Sequence, residues 1–233
     1  MCTVSFLPHA VGFRLAMNRD EKRTRVAGLA PEIFRIRERR AIYPREPNDG
    51  TWLAVNDAGL CLALINWHRI KREPEGKLES RGGIIPQLIG ASDGGAVGRG
   101  LRRMRLGQVR PFRLICIDSA RQTVTEWQWN TIALAVRRHG WQINHWFSSG
   151  YDEAETARQR GKVCVMSSLS RASSLRKLHA SHLPKRGPFS ICMHRPDAAT
   201  VSYSEVIATA KRITFRYQPG PPCEDTGQVA KWL

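Results

Sequence analysis

Asn56-Asp57-Ala58-Gly59 is a turn signal set between two apolar runs, TWLAV at 51–55 and LCLALIN at 60–66. A Gly-closed polar turn joining two strand-forming runs commits the segment to a β-hairpin. Residues 2–7 and 11–18 are two further strand-like runs, separated by Pro8 and His9, so the first 66 residues read as extended structure. From 67 to 110 the chain turns basic and Gly-rich, with helices predicted at 84–90 and 93–106, broken by Gly94 and Gly95. PFRLICI at 111–117 and TVTEWQW at 123–129 form a second hairpin, followed by a short strand at 143–147. Helices are expected at 151–167 and 171–181, then strands at 189–193, 200–206 and 211–217, ahead of a Pro-Gly-Pro-Pro tail at 219–222.

Two groups of strands separated by helices fit an α+β arrangement, with stacked sheets covered by helices, better than an alternating βαβ array. There is no internal repeat and no linker, so residues 1–233 are expected to form one domain. SDGGAVGRG at 92–100 does not follow a strand and does not end in Gly-Lys-Ser/Thr, which disfavours a phosphate-binding loop or a dinucleotide fold.

The net charge of +17 is the compositional outlier. A field of that sign attracts polyanions. The basic residues nevertheless fall in short clusters along the whole chain, RIRERR at 35–40, GRGLRRMR at 98–105 and RRH at 137–139, and no nucleic-acid module contains them. Val97, Leu101 and Met104 share one helical face, which leaves Arg99, Arg102, Arg103 and Arg105 as its solvated remainder. Specific nucleic-acid binding is not expected. No run approaches the roughly 18 apolar residues of a membrane span, and Pro8, His9 and Arg14 break the N-terminal run before a signal-peptide pattern develops. A cytoplasmic location follows, with the six cysteines reduced and too widely scattered for a zinc site or a disulfide scaffold.

The chain begins Met1-Cys2. Removal of the initiator methionine would leave Cys2 with both a thiol and a free α-amine. The amine, with a pKa near 8, can take the proton of a thiol whose pKa is near 8.5, the logic of nucleophiles activated by their own amino terminus.

FRLAMNRDEKRTR at 13–25 places the tetrad Asn18-Arg19-Asp20-Glu21 at the end of a strand. Together with MCTVSFLP at 1–8, YPREP at 43–47, TWLAVNDAGLCLALIN at 51–66, FSSGYDEAE at 147–155 and CMHRPDAATVS at 192–202, it resembles the NRDE family, named for that tetrad and related to the transport and Golgi organisation proteins. The resemblance implies a four-layer αββα sandwich of the N-terminal-nucleophile hydrolase type. It also implies Cys2 as nucleophile. Asn18 and Asp20 have the spacing of the Asn and Asp that close the second strand in the related N-terminal-cysteine amidases. Residues i and i+2 share a strand face, so both are expected to face Cys2, with Asp20 holding the α-amine and Arg19 pointing away. Arg19 then serves either the thiol or a salt bridge to Glu21 or a neighbouring carboxylate. Asn66, ending LCLALIN, matches an oxyanion-hole position or caps a turn. Backbone N–H groups of Ser148, Ser149 and Gly150 either add a second oxyanion donor or lie beside a helix N-cap at Ser149. Arg195 matches a late-strand arginine of the amidases and is the expected active-site cation.

His179, His182 and His194 stand near Cys192 in sequence, but no Cys-x-x-Cys-His attachment sequence or Glu companion completes a ligand set, so neither metal nor cofactor is expected. The tryptophans are read as core residues, with one or two lining a pocket. The functional expectation is a hydrolase that cleaves a linear amide or related acyl bond through an acyl-enzyme at Cys2. Its substrate is a small molecule, and the positive charge together with Arg195 leans toward an anionic one. The alternative is a non-enzymatic lipid or haem carrier on the same fold, because fold does not fix chemistry.

Overall fold

The structure is a computed structural model describing residues 2–167 and 172–233; the expected start of the second late helix, residue 171, lies outside the described residues. Alternation in the first two strands builds the centre of the molecule. In β1 (Cys2–His9), Cys2, Val4 and Phe6 point to one face, and in β2 (Gly12–Lys22) Phe13, Leu15 and Met17 do the same. Thr3, Ser5, Ala16 and Asn18 take the other face and are equally buried. A sheet buried on both sides must be covered by a second sheet on one face and by helices on the other.

The second sheet begins with β3 (Leu29–Ile36), β4 (Arg39–Arg45), β5 (Leu53–Asn56) and β6 (Leu60–Asn66). It continues through β7 (Phe112–Asp118), β8 (Thr123–Trp129) and β9 (Leu134–His139), all seven strands antiparallel and in chain order. The first sheet is completed by β10 (Asn144–Ser148), β11 (Ala198–Thr209), β12 (Ile213–Pro219) and β13 (Val229–Trp232), in the order β10-β1-β2-β11-β12-β13. Between the sheets lies one apolar cluster joining Val4, Phe6, Leu15 and Met17 to Ile42, Leu53, Val55 and Ile115. Helices α1 (Ile84–Leu88) and α2 (Gly94–Arg103) cover the outer face of the seven-stranded sheet, with Ile85, Val97 and Leu101 against Leu62 and Leu114. Helices α3 (Glu153–Met166) and α4 (Ala172–Ala180) cover the six-stranded sheet, with Val163, Leu175 and Leu178 against Ala16 and Tyr203. The layers are therefore αββα, as the family resemblance implied.

The 56–59 turn forms as expected. Asn56 Oδ1 accepts from the N–H groups of Ala58 and Leu60, and Gly59 takes φ +76°, where a side chain would be strained. Arg99, Arg102 and Arg103 ride the solvent side of α2, capped by Asp93 Oδ1 on Ala96 N–H at 2.8 Å. Trp127, Trp129 and Trp146 are core residues.

One expectation needs correction, and two features lie outside the sequence reading. Residues 189–193 are not a strand: Ser190 Oγ bonds the carbonyls of Gly187 and Cys192, and the segment wraps back onto Ser181 and Leu183 instead of pairing along its length. RIRERR is a strand end and hairpin turn between β3 and β4, with Arg37 at φ +57°. The strands β9 and β13 lie at sheet edges and are almost wholly exposed, so they carry charge in place of apolar alternation. Among the described residues no helix is long and apolar enough to cross a membrane.

Candidate active site

Cys2 begins the central part of the six-stranded sheet. Its cross-strand partners are Arg19 on β2 and Ser148 on β10, and partners across a ladder project to the same face. Arg19 therefore shares the inner face with Cys2, the reverse of the expected arrangement. Its guanidinium lies 4.4 Å over the Trp52 ring and its Nη2 is 2.5 Å from Glu46 Oε1. Glu46 also accepts from Arg25 at 2.7 and 2.9 Å, so one carboxylate holds two arginines in place. A cavity of about 220 Å³ opens here, lined by Cys2, Arg19, Glu46, Trp52, Asn66 and Arg81 among others. Burial pushes the Cys2 thiol above its ordinary range; the Arg19 charge and the Asp20 N–H act in the opposite direction.

Arg81 was invisible in the sequence, where it sits in a Gly-rich stretch without periodicity. Ser80 Oγ accepts from Gly82 N–H and shapes a single 3-10 turn that presents Arg81 to the cavity. Its Nη1 donates to Pro111 O at 3.0 Å, and among the described residues no carboxylate pairs with it. Burial lowers its pKa and nearby Arg110 adds to the effect, while the Cys2 sulfur counteracts it. Asn66, the last residue of β6, lines the same cavity.

Asn18 and Asp20 project to the helix side, because the Cys2–Arg19 register gives the inner face to odd-numbered residues, yet Asp20, beside Arg19, still lines the Cys2 cavity whereas Asn18 does not. Asn18 Nδ2 donates to the carbonyls of His179 and Ile191 at 2.8 and 3.0 Å, so its Oδ1 accepts from His179 Nδ1 at 3.0 Å. That bond sets the His179 proton on Nδ1, and Nε2 then accepts from Ser5 Oγ at 2.9 Å. The Ser5 oxygen in turn accepts from His145 Nδ1 at 2.9 Å. Both imidazoles are neutral in this chain of bonds: burial lowers His179 to about 3 and His145 to about 4. Asn18 thus ties α4 to the sheet and lies away from the cavity.

The Asp20 carboxylate accepts from Arg160 Nη1 at 3.1 Å and from Thr200 Oγ1 at 2.7 Å. A bulge in the β2–β11 ladder between Thr200 and Ser202 turns the Thr200 hydroxyl to that side. Arg160 is itself 1% exposed and also donates to Thr3 Oγ1 at 2.6 Å.

The helix after β10 is capped by Asp152, which accepts from Glu155 N–H at 2.9 Å, not by Ser149, whose Oγ accepts from Tyr151 N–H. Ser148 Oγ is buried without a hydrogen-bond partner among the described residues, on the face it shares with Cys2. Arg195 does not line the cavity: it pairs with Asp197 at 2.5 Å and lies 4.8 Å over the Tyr151 ring. Among the described residues the arginines that line the cavity with Cys2 are Arg19, Arg25, Arg81 and Arg110. Folding also brings Cys223, far away in sequence, beside His182, Cys192 and His194, with ligand atoms within 4.8 Å of one another.

The architecture is that of the N-terminal-nucleophile hydrolases. Solved structures similar to it include a penicillin V acylase from Agrobacterium tumefaciens, 11% identical with a TM-score of 0.56 over 100% of this chain and 86% of that one. Another is the C2A mutant of a conjugated bile acid hydrolase from Clostridium perfringens, 9% identical with a TM-score of 0.58 over 99% and 92%. The chain belongs to the Transport and Golgi organisation 2 family, whose model matches residues 1–180. No curated protein matches it.

Proposed function

We propose that the protein is an N-terminal-cysteine amidohydrolase acting on a small polar acyl compound with an anionic group near the scissile bond. The observation that carries this reading is the common cavity of Cys2, Arg19, Asn66 and Arg81. Once Met1 is removed, the Cys2 amine takes the thiol proton and the thiolate attacks the carbonyl carbon. In this mechanism Asp20, which follows the Cys2 partner Arg19 on β2, orients that amine. Asn66 Nδ2–H and Ser148 Oγ–H donate to the oxyanion. As the C–N bond breaks, the ammonium of Cys2 returns its proton to the leaving amine, and water then hydrolyses the thioester. Arg81, which has no carboxylate partner among the described residues, binds the substrate anion.

A lipid or haem carrier finds little support at this cavity, because such pockets are roughly 300–1,000 Å³ and mainly apolar, whereas this one is smaller and ringed by Arg19, Glu46, Glu79 and Arg81. The test is a panel of acyl amides with and without a carboxylate, run on the wild type and Cys2→Ala, with intact-mass measurement for Met1. The expected result is a chain lacking Met1 that turns over anionic amides, with loss of several orders of magnitude in Cys2→Ala. Turnover that survives in Cys2→Ala, or a retained Met1 in an active preparation, overturns the mechanism.

A further inference from the structure

We infer that the C-terminal part of the chain holds a structural zinc ion, bound by His182, Cys192, His194 and Cys223. His194 Nε2 is the geometric hub. It lies 3.3 Å from His182 Nε2, 3.6 Å from Cys192 Sγ and 3.4 Å from Cys223 Sγ. One imidazole nitrogen has a single proton or a single lone pair to offer, so hydrogen bonding cannot account for three polar neighbours at once. A tetrahedron can. With Zn–N near 2.0–2.1 Å and Zn–S near 2.3 Å, its edges are about 3.3 Å between nitrogens and about 3.6 Å between nitrogen and sulfur.

The backbone fixes each donor before any ion arrives. Cys192 N–H bonds Ser181 O at 2.9 Å, next to His182, and His194 N–H bonds Gly187 O at 3.2 Å. Gln218 Nε2 clamps the turn carrying Cys223 through Pro221 O and Glu224 O, at 2.9 and 2.7 Å. Cys192 is fully buried and the other three are half-buried, which leaves a path for the ion. Two His and two Cys are a closed donor set for zinc, and two thiolates balance its charge. The exposed Arg186, whose Nη2 is 3.4 Å from His194 Nδ1, turns to solvent when that nitrogen carries the proton. All four donors lie beyond residue 180, where the family match ends. It joins the segment after α4 to the turn after β12, and it is independent of the reaction assigned to Cys2.

The experiment adds Co²⁺ to the full chain, stripped of metal and held under a thiol-free reductant. The expected result is the visible ligand-field spectrum of tetrahedral cobalt with a thiolate charge-transfer band, saturating at one equivalent and displaced by Zn²⁺. Cys223→Ser should weaken the charge-transfer band and lower zinc affinity at least about tenfold, His182→Gln should perturb the ligand-field bands, and Cys2→Ala should leave both spectra unchanged. A folded, reduced wild type that gives no such spectrum overturns the inference, and so does a spectrum that is lost in Cys2→Ala or indifferent to both cluster variants. A native intact mass two hydrogens light, from a Cys192–Cys223 disulfide, also overturns it.

Discussion

Cys2 and Arg19 face each other across the β1–β2 ladder, and the guanidinium of Arg19 is immobilised between the Trp52 ring and the Glu46 carboxylate. A cation held in that way cannot swing to solvent when the thiol ionises. Its field therefore acts against the burial that otherwise keeps Cys2 protonated.

Arg19→Gln should raise the Cys2 thiol pKa and slow its alkylation near pH 7, about tenfold for every pH unit by which that pKa climbs. Peptide mapping after a brief pulse of iodoacetamide, repeated across pH, measures it. In the wild type Cys2 should label faster than Cys61, whose burial pushes its thiol far above the ordinary range. An Arg19→Gln profile that overlays the wild type would remove Arg19 from the activation of the thiol.

Arg160 lies under the sheet with its charge matched by Asp20 and its Nη1 on the Thr3 hydroxyl. Arg160→Met leaves a buried carboxylate without its cation and should destabilise the fold by about 3–5 kcal/mol. Adding Asp20→Asn to Arg160→Met should cost less than the sum of the two single changes, because both act on one interaction. Urea unfolding of the three variants tests this coupling, and strict additivity would refute it.

His179 is fully buried and held neutral, with a folded pKa of about 3 against an ordinary 6.5. Between those values the unfolded chain binds the proton that the folded chain refuses, so stability is complete above pH 6.5 and falls as the solution is acidified toward pH 3. His179 contributes a slope of about 1.4 kcal/mol per pH unit across that window, and His145, at about 4, adds to it down to its own pKa. Unfolding free energies at pH 7 and at pH 5 should show a steeper difference in wild type than in His179→Gln. Equal differences would mean that the Asn18–His179–Ser5 chain of hydrogen bonds does not control the proton.

The hairpin around Asn56–Gly59 was legible because its turn chemistry and flanking runs are local. The choice of strand face that Cys2 shares was not. Spacing alone places Asn18 with Asp20 and apart from Arg19, but whether the odd or the even set faces Cys2 is decided by the register with β1, which no local pattern encodes. Arg81 escaped because a 3-10 turn has no apolar period, and Cys223 because its neighbours in space are 29 to 41 residues away. Edge strands β9 and β13 escaped because their exposed faces need no hydrophobic alternation.

Asn66 separates the two halves of the proposed chemistry. It lines the cavity with Cys2, yet it ends a strand of the other sheet and donates no side-chain hydrogen bond among the described residues. If its amide serves the oxyanion, Asn66→Ala removes a donor used only in the transition state, so turnover should drop about 10²–10³-fold with little change in KM. The thiol itself is untouched by that change. Alkylation of Cys2 should therefore proceed in Asn66→Ala at the wild-type rate, whereas Arg19→Gln slows both alkylation and turnover. Measuring kcat, KM and labelling rate on the same two variants decides between the roles. An Asn66→Ala enzyme with undiminished kcat would hand the oxyanion to Ser148 and leave Asn66 as a residue that shapes the cavity wall.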